Sequence, residues 1–218
     1  MIMSSKSESV ILLCSGQSKK MSSYGSRSLL RIGSDYLISK QINTVRQVYP
    51  RAEIICVLGY ESERVYKLLR DLKVKCIFND NYKETSSLKS IIYGIRQVTT
   101  NRCFIIHGDI YFQADDLKFA LKDSTALVNY SNSKEVTVNI QNNEILQFGY
   151  GFGAAWQKII FFNKKATDLM KDVLLNDADF KRLDFELFNH LLDKEIVIKP
   201  YQAKTYEINT YREYKCVP

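Results

Sequence analysis

Short unbroken apolar runs alternate along the first half of this chain with stretches whose apolar residues recur every three or four positions. VILLC (10–14) predicts a buried strand. LISKQINTVRQVY (37–49) sets Leu37, Ile38, Ile42, Val45 and Val48 on one helical face. EIICVLGY (53–60) predicts a strand ended by Gly59, and SERVYKLLRDL (62–72) a helix capped by Ser62. VKCIFN (74–79) reads as a strand and SSLKSIIYGIRQV (86–98) as a helix. CFIIHGDIYF (103–112) is the most apolar strand of the first half.

That alternation implies parallel strands joined by right-handed crossovers and covered on both faces. Ligands of such sheets sit at the carboxyl ends of the strands. The loop over 14–21 and the segment His107–Asp109 both fall at such ends. The second half changes character. ALVNY (126–130), VTVNI (136–140) and EILQFGY (144–150) predict short strands in a meander, and KIIFFN (158–163) another strand. Amphipathic helices follow over 164–175 and 180–192. Strands over 195–201 and 204–209 and a polar helix over TYREYKCV close the pattern. The expected organisation is a loose polar lead-in over 1–8, then one α/β domain over 9–218 with a mixed β second half.

Composition narrows the class. The 218 residues are 45% hydrophobic and 25% charged, with no apolar run near the roughly 18 residues a spanning helix needs. MIMSSKSESV lacks the apolar core of a signal peptide. Five scattered cysteines without a C-x-x-C pair predict buried thiols in a reducing, cytoplasmic compartment rather than zinc or disulfides. The net charge of +7 favours phosphate-bearing partners. The positive residues are dispersed rather than clustered, which argues against nucleic acid.

Two segments could carry chemistry. After VILLC come small residues, Ser15, Gly16 and Ser18, with Lys19 and Lys20. Such a loop lets backbone N–H groups approach an anion while lysines add charge; a plain polar turn is the alternative. Asp109 follows CFIIHG, where a carboxylate is poorly placed for stability and well placed to hold Mg2+ near phosphates. A turn or cap aspartate is the alternative there, and His107 reads better as a packed strand end than as a base.

The order of these pieces resembles the nucleotidyltransferases. Leu13-Cys14-Ser15-Gly16-Gln17-Ser18-Lys19-Lys20-Met21 is similar to their L-A-A-G-x-G-x-R-M signature, and Ser26-Arg27-Ser28-Leu29 stands where they carry P-K-x-L. Val57-Leu58-Gly59-Tyr60 resembles their second strand and turn. Phe78-Asn79-Asp80-Asn81-Tyr82, with Ser87 and Ser90, resembles the stretch around the base. His107-Gly108-Asp109 matches the metal aspartate motif, and Tyr206 to Tyr214 is similar to the closing Y-E-I-D-s-x-x-D-Y. The FNDNY segment and the ending look most like bacterial choline-phosphate cytidylyltransferases, with sugar-phosphate members as wider kin.

The resemblance implies a Rossmann-like, glycosyltransferase-A type α/β sandwich with a mostly parallel central sheet. It implies transfer of NMP from an NTP, CTP favoured, to a phosphorylated small acceptor with release of pyrophosphate. Mg2+ would sit on Asp109 and Asn209. Lys20 would take the leaving pyrophosphate and Arg27 the α-phosphate or acceptor phosphate. Cys14, Ser15, Gly16, Gln17 and Ser18 would cradle the triphosphate, while Gly59, Ser87 and Ser90 line the base pocket. A choline acceptor would draw on Tyr150, Phe152, Trp156, Phe161, Asp184 and Glu186. A sugar phosphate would draw on Asn139, Gln141 and Gln157.

Four positions depart from that pattern. Ser18 replaces the second glycine, which would be strained at positive φ. Lys20 replaces arginine and Arg27 replaces lysine, exchanging fork and point-charge geometries. Asn209 replaces the second metal aspartate, so metal affinity should fall. Glu207, two residues back, points to the same face of a strand. A catalytically degenerate relative that binds nucleotide without turnover therefore stands beside the enzyme reading. Asp109-Ile110-Tyr111 lacks the D-x-D of a glycosyltransferase.

Overall fold

The computed structural model describes residues 7–130, 135–176 and 183–218. Strand β1 (Ser9–Cys14) is buried along its whole length, as an apolar run without alternation requires. The chain leaves it through two 3-10 turns, Lys19–Tyr24 and Arg27–Leu29, and a hairpin of β2 (Arg31–Ile32) and β3 (Asp35–Tyr36). Helix α1 (Leu37–Val48) turns Leu37, Ile38, Gln41, Ile42 and Val45 inward, and Pro50 bars its continuation. Then follow β4 (Glu53–Leu58), α2 (Ser62–Leu69), β5 (Lys75–Phe78), α3 (Ser87–Ile95) and β6 (Cys103–His107).

β5, β4, β1 and β6 lie side by side in that order, all parallel. The chain steps outward from β1 to β4 and β5, then returns to lay β6 on the other flank of β1. The strand order thus reverses beside β1, and a crevice opens at the carboxyl ends of β1 and β6. Alternate side chains divide the core. Ile11, Leu13, Ile55, Val57 and Ile105 pack with α3 on one face; Val10, Leu12, Ile54, Cys56, Phe104 and Ile106 pack with α1 and α2 on the other. Helix α3 closes tightly because Gly94 sits over Ile11, whose Cγ2 lies 2.5 Å from where a Cβ would stand.

The second half extends the same sheet. β7 (Ile110–Tyr111) precedes a 3-10 turn, Ala114–Leu117, then β8 (Ser124–Asn129), β9 (Thr137–Gln141), β10 (Glu144–Gly149) and β11 (Ala154–Phe162). Helices α4 (Lys164–Asn176) and α5 (Asp184–Asp193), strands β12 (Ile198–Gln202) and β13 (Tyr206–Glu207), and helix α6 (Tyr211–Lys215) complete the chain. β11 runs antiparallel to β6 and joins both halves into one nine-stranded sheet. The α/β architecture with a mostly parallel centre is thus present. The expected meander is confined to the β9–β10 hairpin, because β8 lies between β11 and β12 instead.

Several boundaries differ from expectation: β11 starts at Ala154 rather than 158, β12 at Ile198 rather than 195, after Glu195 at φ 59°, and α2 and α3 end three residues early. The strand expected over 103–112 breaks at Gly108-Asp109, and β7 pairs with β13 in a separate ribbon. Glu61, left-handed at φ 53°, occupies the cap position of α2, so Ser62 is its first helical residue. Residues 180–182 of the expected helix over 180–192 and residues 1–6 of the expected lead-in lie outside the described residues. Glu8, also read as lead-in, is buried and paired with Arg102. Among the described residues no helix is long and apolar enough to cross a membrane.

Candidate active site

Two glycines, Gly108 after β6 and Gly59 after β4, allow the ends of those strands to close on the end of β1. Gly108 donates its N–H to Leu13 O at 2.9 Å. A Cβ there would stand 2.7 Å from both Leu13 O and Cys14 Sγ, so only glycine fits. Gly59 passes equally close behind Ser15, with Ser15 O 2.6 Å from its notional Cβ. The 107–110 turn is held from below by α1: Gln41 Nε2 donates to His107 O at 3.0 Å and Ile110 O at 2.7 Å. That turn projects Asp109 into the crevice.

The chain's end is brought over Asp109 by the β7–β13 ribbon, where Ile208 N–H donates to Asp109 O at 2.8 Å. Thr210 and Glu213 then form a reciprocal capping box at α6. Glu213 also accepts the Asn209 N–H at 2.8 Å, which fixes Asn209 beside Asp109. Arg27 arrives from the first loop. Its Nη1 lies 2.8 Å from Asp109 Oδ2 and donates to Asn209 Oδ1 at 2.7 Å. Asn209 Nδ2 in turn donates to Glu207 Oε1 at 2.7 Å.

A cavity of about 130 Å3 lies over these groups, lined by Leu13, Ser15, Gly16, Arg27, Tyr82, Thr85, Ser86, Ser87, Ser90, His107 and Asp109. Of the residues expected from sequence, Ser15, Gly16, Arg27, Ser87, Ser90 and Asp109 meet in this wall. Cys14 borders a smaller recess behind Arg27 and Asp109. Asn209 joins through Arg27, and Gly59 backs Ser15. Gln17, Ser18 and Lys20 are not among the residues that line the cavity; Gln17 and Lys20 are exposed on the loop that follows β1. Ser18 has φ −83°, so the strain expected from its Cβ does not arise. Within that wall, Ser15 Oγ and Ser90 Oγ lie 2.7 Å apart, and Asn79 Nδ2 donates to Ser90 Oγ at 3.3 Å.

Next to His107 lie Asp184 and Trp156, which the sequence reading offered for a choline acceptor, and Lys158, which it missed; Trp156 and Phe161 are both packed in the core, so neither is free to form a choline cage. His107 Nε2 lies 2.7 Å from Asp184 Oδ2, and Trp156 meets the imidazole edge-on. Lys158 sits at a register shift of β11 with φ 59°, its Nζ 5.1 Å from the Trp156 ring centre. Burial works against the charge of Asp109, but Arg27, then His107 and Lys158, outweigh it and hold the carboxyl below its ordinary value. Asp184 behaves alike: burial pushes it up, while His107 and Lys158 prevail and pull it down. Glu207 goes the other way, raised by burial and by the charge of Asp109. The charge of Lys158 thus acts on three carboxylates. The only sequence signal for it was a lysine opening an apolar strand.

The donor set fits a divalent cation only where most of its ligands come from outside the chain. Asp109 Oδ1 is out of reach of solvent and has no hydrogen-bond partner, an oxygen that a cation would satisfy. Among the described residues no three His, Cys, Asp or Glu side chains cluster to form a metal cage. Mg2+ commonly takes one or two carboxylates and completes its shell with phosphates and water.

Comparison with known proteins agrees with this architecture. The fold matches the CTP:phosphocholine cytidylyltransferase of Streptococcus pneumoniae with a TM-score of 0.79, at 16% identity over 96% of each chain. It matches an inositol-1-phosphate CTP transferase from T. maritima at 0.77, with 18% identity over 94% of this chain and 90% of that one. In sequence, the chain is 26% identical over 117 residues to the bifunctional protein GlmU of Caldicellulosiruptor saccharolyticus, covering 52% of this chain. The chain spans about a quarter of that relative, 25% of its length. The family model described as the MobA-like NTP transferase domain matches residues 10–157, more than half of the chain, and this chain belongs to that family.

Proposed function

We propose that this protein transfers NMP from an NTP, with CTP the favoured donor, to choline phosphate or a sugar phosphate and releases pyrophosphate. One observation carries the reading: Asp109, Arg27 and the Ser15–Gly16 backbone, distant in sequence, converge on one cavity at the reversal of strand order. The preference for CTP is supported by two solved relatives of the same fold whose names specify CTP. Five free cysteines suit a reducing cytoplasm.

The chemistry asks little of the protein by way of proton transfer. An acceptor phosphate has a second pKa of about 6 and is nearly dianionic at neutral pH. One of its oxygens attacks the α-phosphorus, and the bond from that phosphorus to the bridging oxygen breaks as pyrophosphate departs with the electron pair. The barrier lies in aligning two anions that repel each other. Mg2+ held at Asp109 would supply charge neutralisation between them. Arg27, in the cavity wall, holds one phosphate, and Lys158, whose charge reaches Asp109, attracts the other; Ser15 to Ser18 cradle the triphosphate through backbone N–H groups, and Lys20 takes the leaving pyrophosphate. Ser87 and Ser90 face the base.

The test is pyrophosphate release from each of the four NTPs with Mg2+ and a panel of choline and sugar phosphates. Release above background with CTP and one acceptor is expected. No release from any combination, with nucleotide still bound, would replace this reading by the second one, a family member that binds nucleotide without turnover. A specific contact favours that alternative: Arg27 bonds both Asp109 and Asn209, and Asn209 brings no charge to a metal.

A further inference from the structure

We propose that Arg27 is a resident cation that closes the metal seat of this site until a nucleotide arrives, so that the divalent ion enters with the triphosphate and does not bind the free protein. This rests on the nucleotide-handling reading above. Arg27 Nη1 occupies Asp109 Oδ2 at 2.8 Å and Asn209 Oδ1 at 2.7 Å, one oxygen from each of the two side chains at the metal positions. The charge matches as well: a carboxylate and a neutral amide sum to a single negative charge, which one guanidinium neutralises.

The arrangement is fixed at both ends. Asn209 cannot turn its oxygen away without breaking the bond from its Nδ2 to Glu207 Oε1. Arg27 opens the Arg27–Leu29 turn, and that turn is anchored where Ser26 N–H donates to the Glu61 carboxylate. The bridge is also well shielded, with Arg27 and Asp109 side chains 17% and 12% exposed, so solvent screens it weakly. What remains for an incoming ion is Asp109 Oδ1 alone, beside a fixed positive charge. Mg2+ sheds its water reluctantly and one oxygen does not compensate it. A triphosphate changes the balance, because its oxygens match the guanidinium fork better than a single shared N–H group does. Drawing Arg27 onto phosphate frees both carboxylate oxygens of Asp109 for the ion the nucleotide brings.

Mn2+ titration followed by the electron paramagnetic resonance of the free ion tests this without any turnover. In the absence of nucleotide, wild-type protein is expected to leave Mn2+ free across a titration that saturates Arg27→Met. The variant should bind at least about tenfold more tightly, and Arg27→Met/Asp109→Asn should lose that gain. Adding α,β-methylene-CTP to the wild type should create the site that Arg27→Met has from the start. Equal Mn2+ affinity of wild type and Arg27→Met without nucleotide would overturn the proposal. If Arg27→Met does not fold, the wild type decides alone: saturable one-to-one binding of Mn2+ by the nucleotide-free protein refutes it. A protein that releases no pyrophosphate but shows the Arg27-dependent Mn2+ site would sink the transfer reading and leave this one standing.

Discussion

The two ends of the parallel sheet each hold a carboxylate shielded from water, and they treat it differently. At the amino end, Glu53 Oε2 accepts from Ser9 Oγ at 2.7 Å, Thr99 N at 2.9 Å and Thr99 Oγ1 at 3.0 Å. Glu8 beside it pairs with Arg102. At the carboxyl end, Asp109 is tied by one oxygen to Arg27 and keeps the other without a partner. Folding tolerates an unsatisfied buried acceptor at a cost of about 1–3 kcal/mol. A carboxylate whose partners are all internal belongs to the fold, whereas one kept short of partners leaves an oxygen open to a ligand. The reversal of strand order lies at the end with the unfilled oxygen.

The sharpest way to break this contrast is to neutralise each carboxylate and ask what is lost. Asp109→Asn keeps the shape and still accepts from Arg27, so the fold should survive. Turnover should fall about a thousandfold, the scale of losing a charge placed for the transition state. Pyrophosphate release alongside a thermal melt checks both; retained turnover would remove Asp109 from the chemistry. Glu53→Ala should do the converse. It strands three donors and should cost about 3 kcal/mol in urea unfolding, with turnover per folded molecule unchanged. A stability loss at Asp109 as large as at Glu53, or a turnover loss at Glu53, would erase the distinction between the ends.

The two ends were unequally legible in the sequence. The strands were plain because VILLC, EIICVL and CFIIH are buried on both faces and so carry no polar interruptions. The helices announced themselves by one apolar face each. The break after His107 was hidden, since Gly108 is required by an approach to Leu13 and Cys14 that no local pattern encodes. Similarity of motif order marked Asp109, Arg27 and Asn209, yet the bond between Arg27 and Asn209 spans 182 positions and is a product of the fold. Lys158 escaped notice because a lysine at a strand's start is ordinary; its left-handed backbone at the register shift of β11 is set by the fold, and no local pattern encodes it. Gln41, buried on α1, likewise showed only as one more polar residue on an amphipathic helix.

A gain of charge sharpens the comparison from the other side. Asn209→Asp would give the carboxyl end a second carboxylate next to Asp109, at the cost of setting it against Glu207 as well. In the presence of α,β-methylene-CTP, Mn2+ should bind about tenfold more tightly. The metal-free protein should lose about 1 kcal/mol or more, because the bond from Asn209 Nδ2 to Glu207 gives way to two carboxylates facing each other. An unchanged Mn2+ titration would place position 209 outside the metal's reach.

The smallest effect expected concerns how the two ends open. Cys14 closes β1 at the carboxyl end, and Cys103 starts β6 at the amino end. Burial pushes the Cys14 thiol up to about 12 and the Cys103 thiol higher still, so neither reacts until its surroundings open. Sites that must admit ligands are drawn from the less stable parts of a fold. Exposed Cys216 should therefore react with a thiol reagent at once, Cys14 next among the buried thiols, and Cys103 only with global unfolding. Nucleotide should slow Cys14 severalfold by holding the 14–27 loop closed and leave Cys103 at its global rate. Mass spectrometry of timed alkylation resolves the order. Simultaneous labelling of Cys14 and Cys103 would mean that the crevice opens no more readily than the base of the sheet, and that the unfilled oxygen of Asp109 sits in a region as rigid as the network around Glu53.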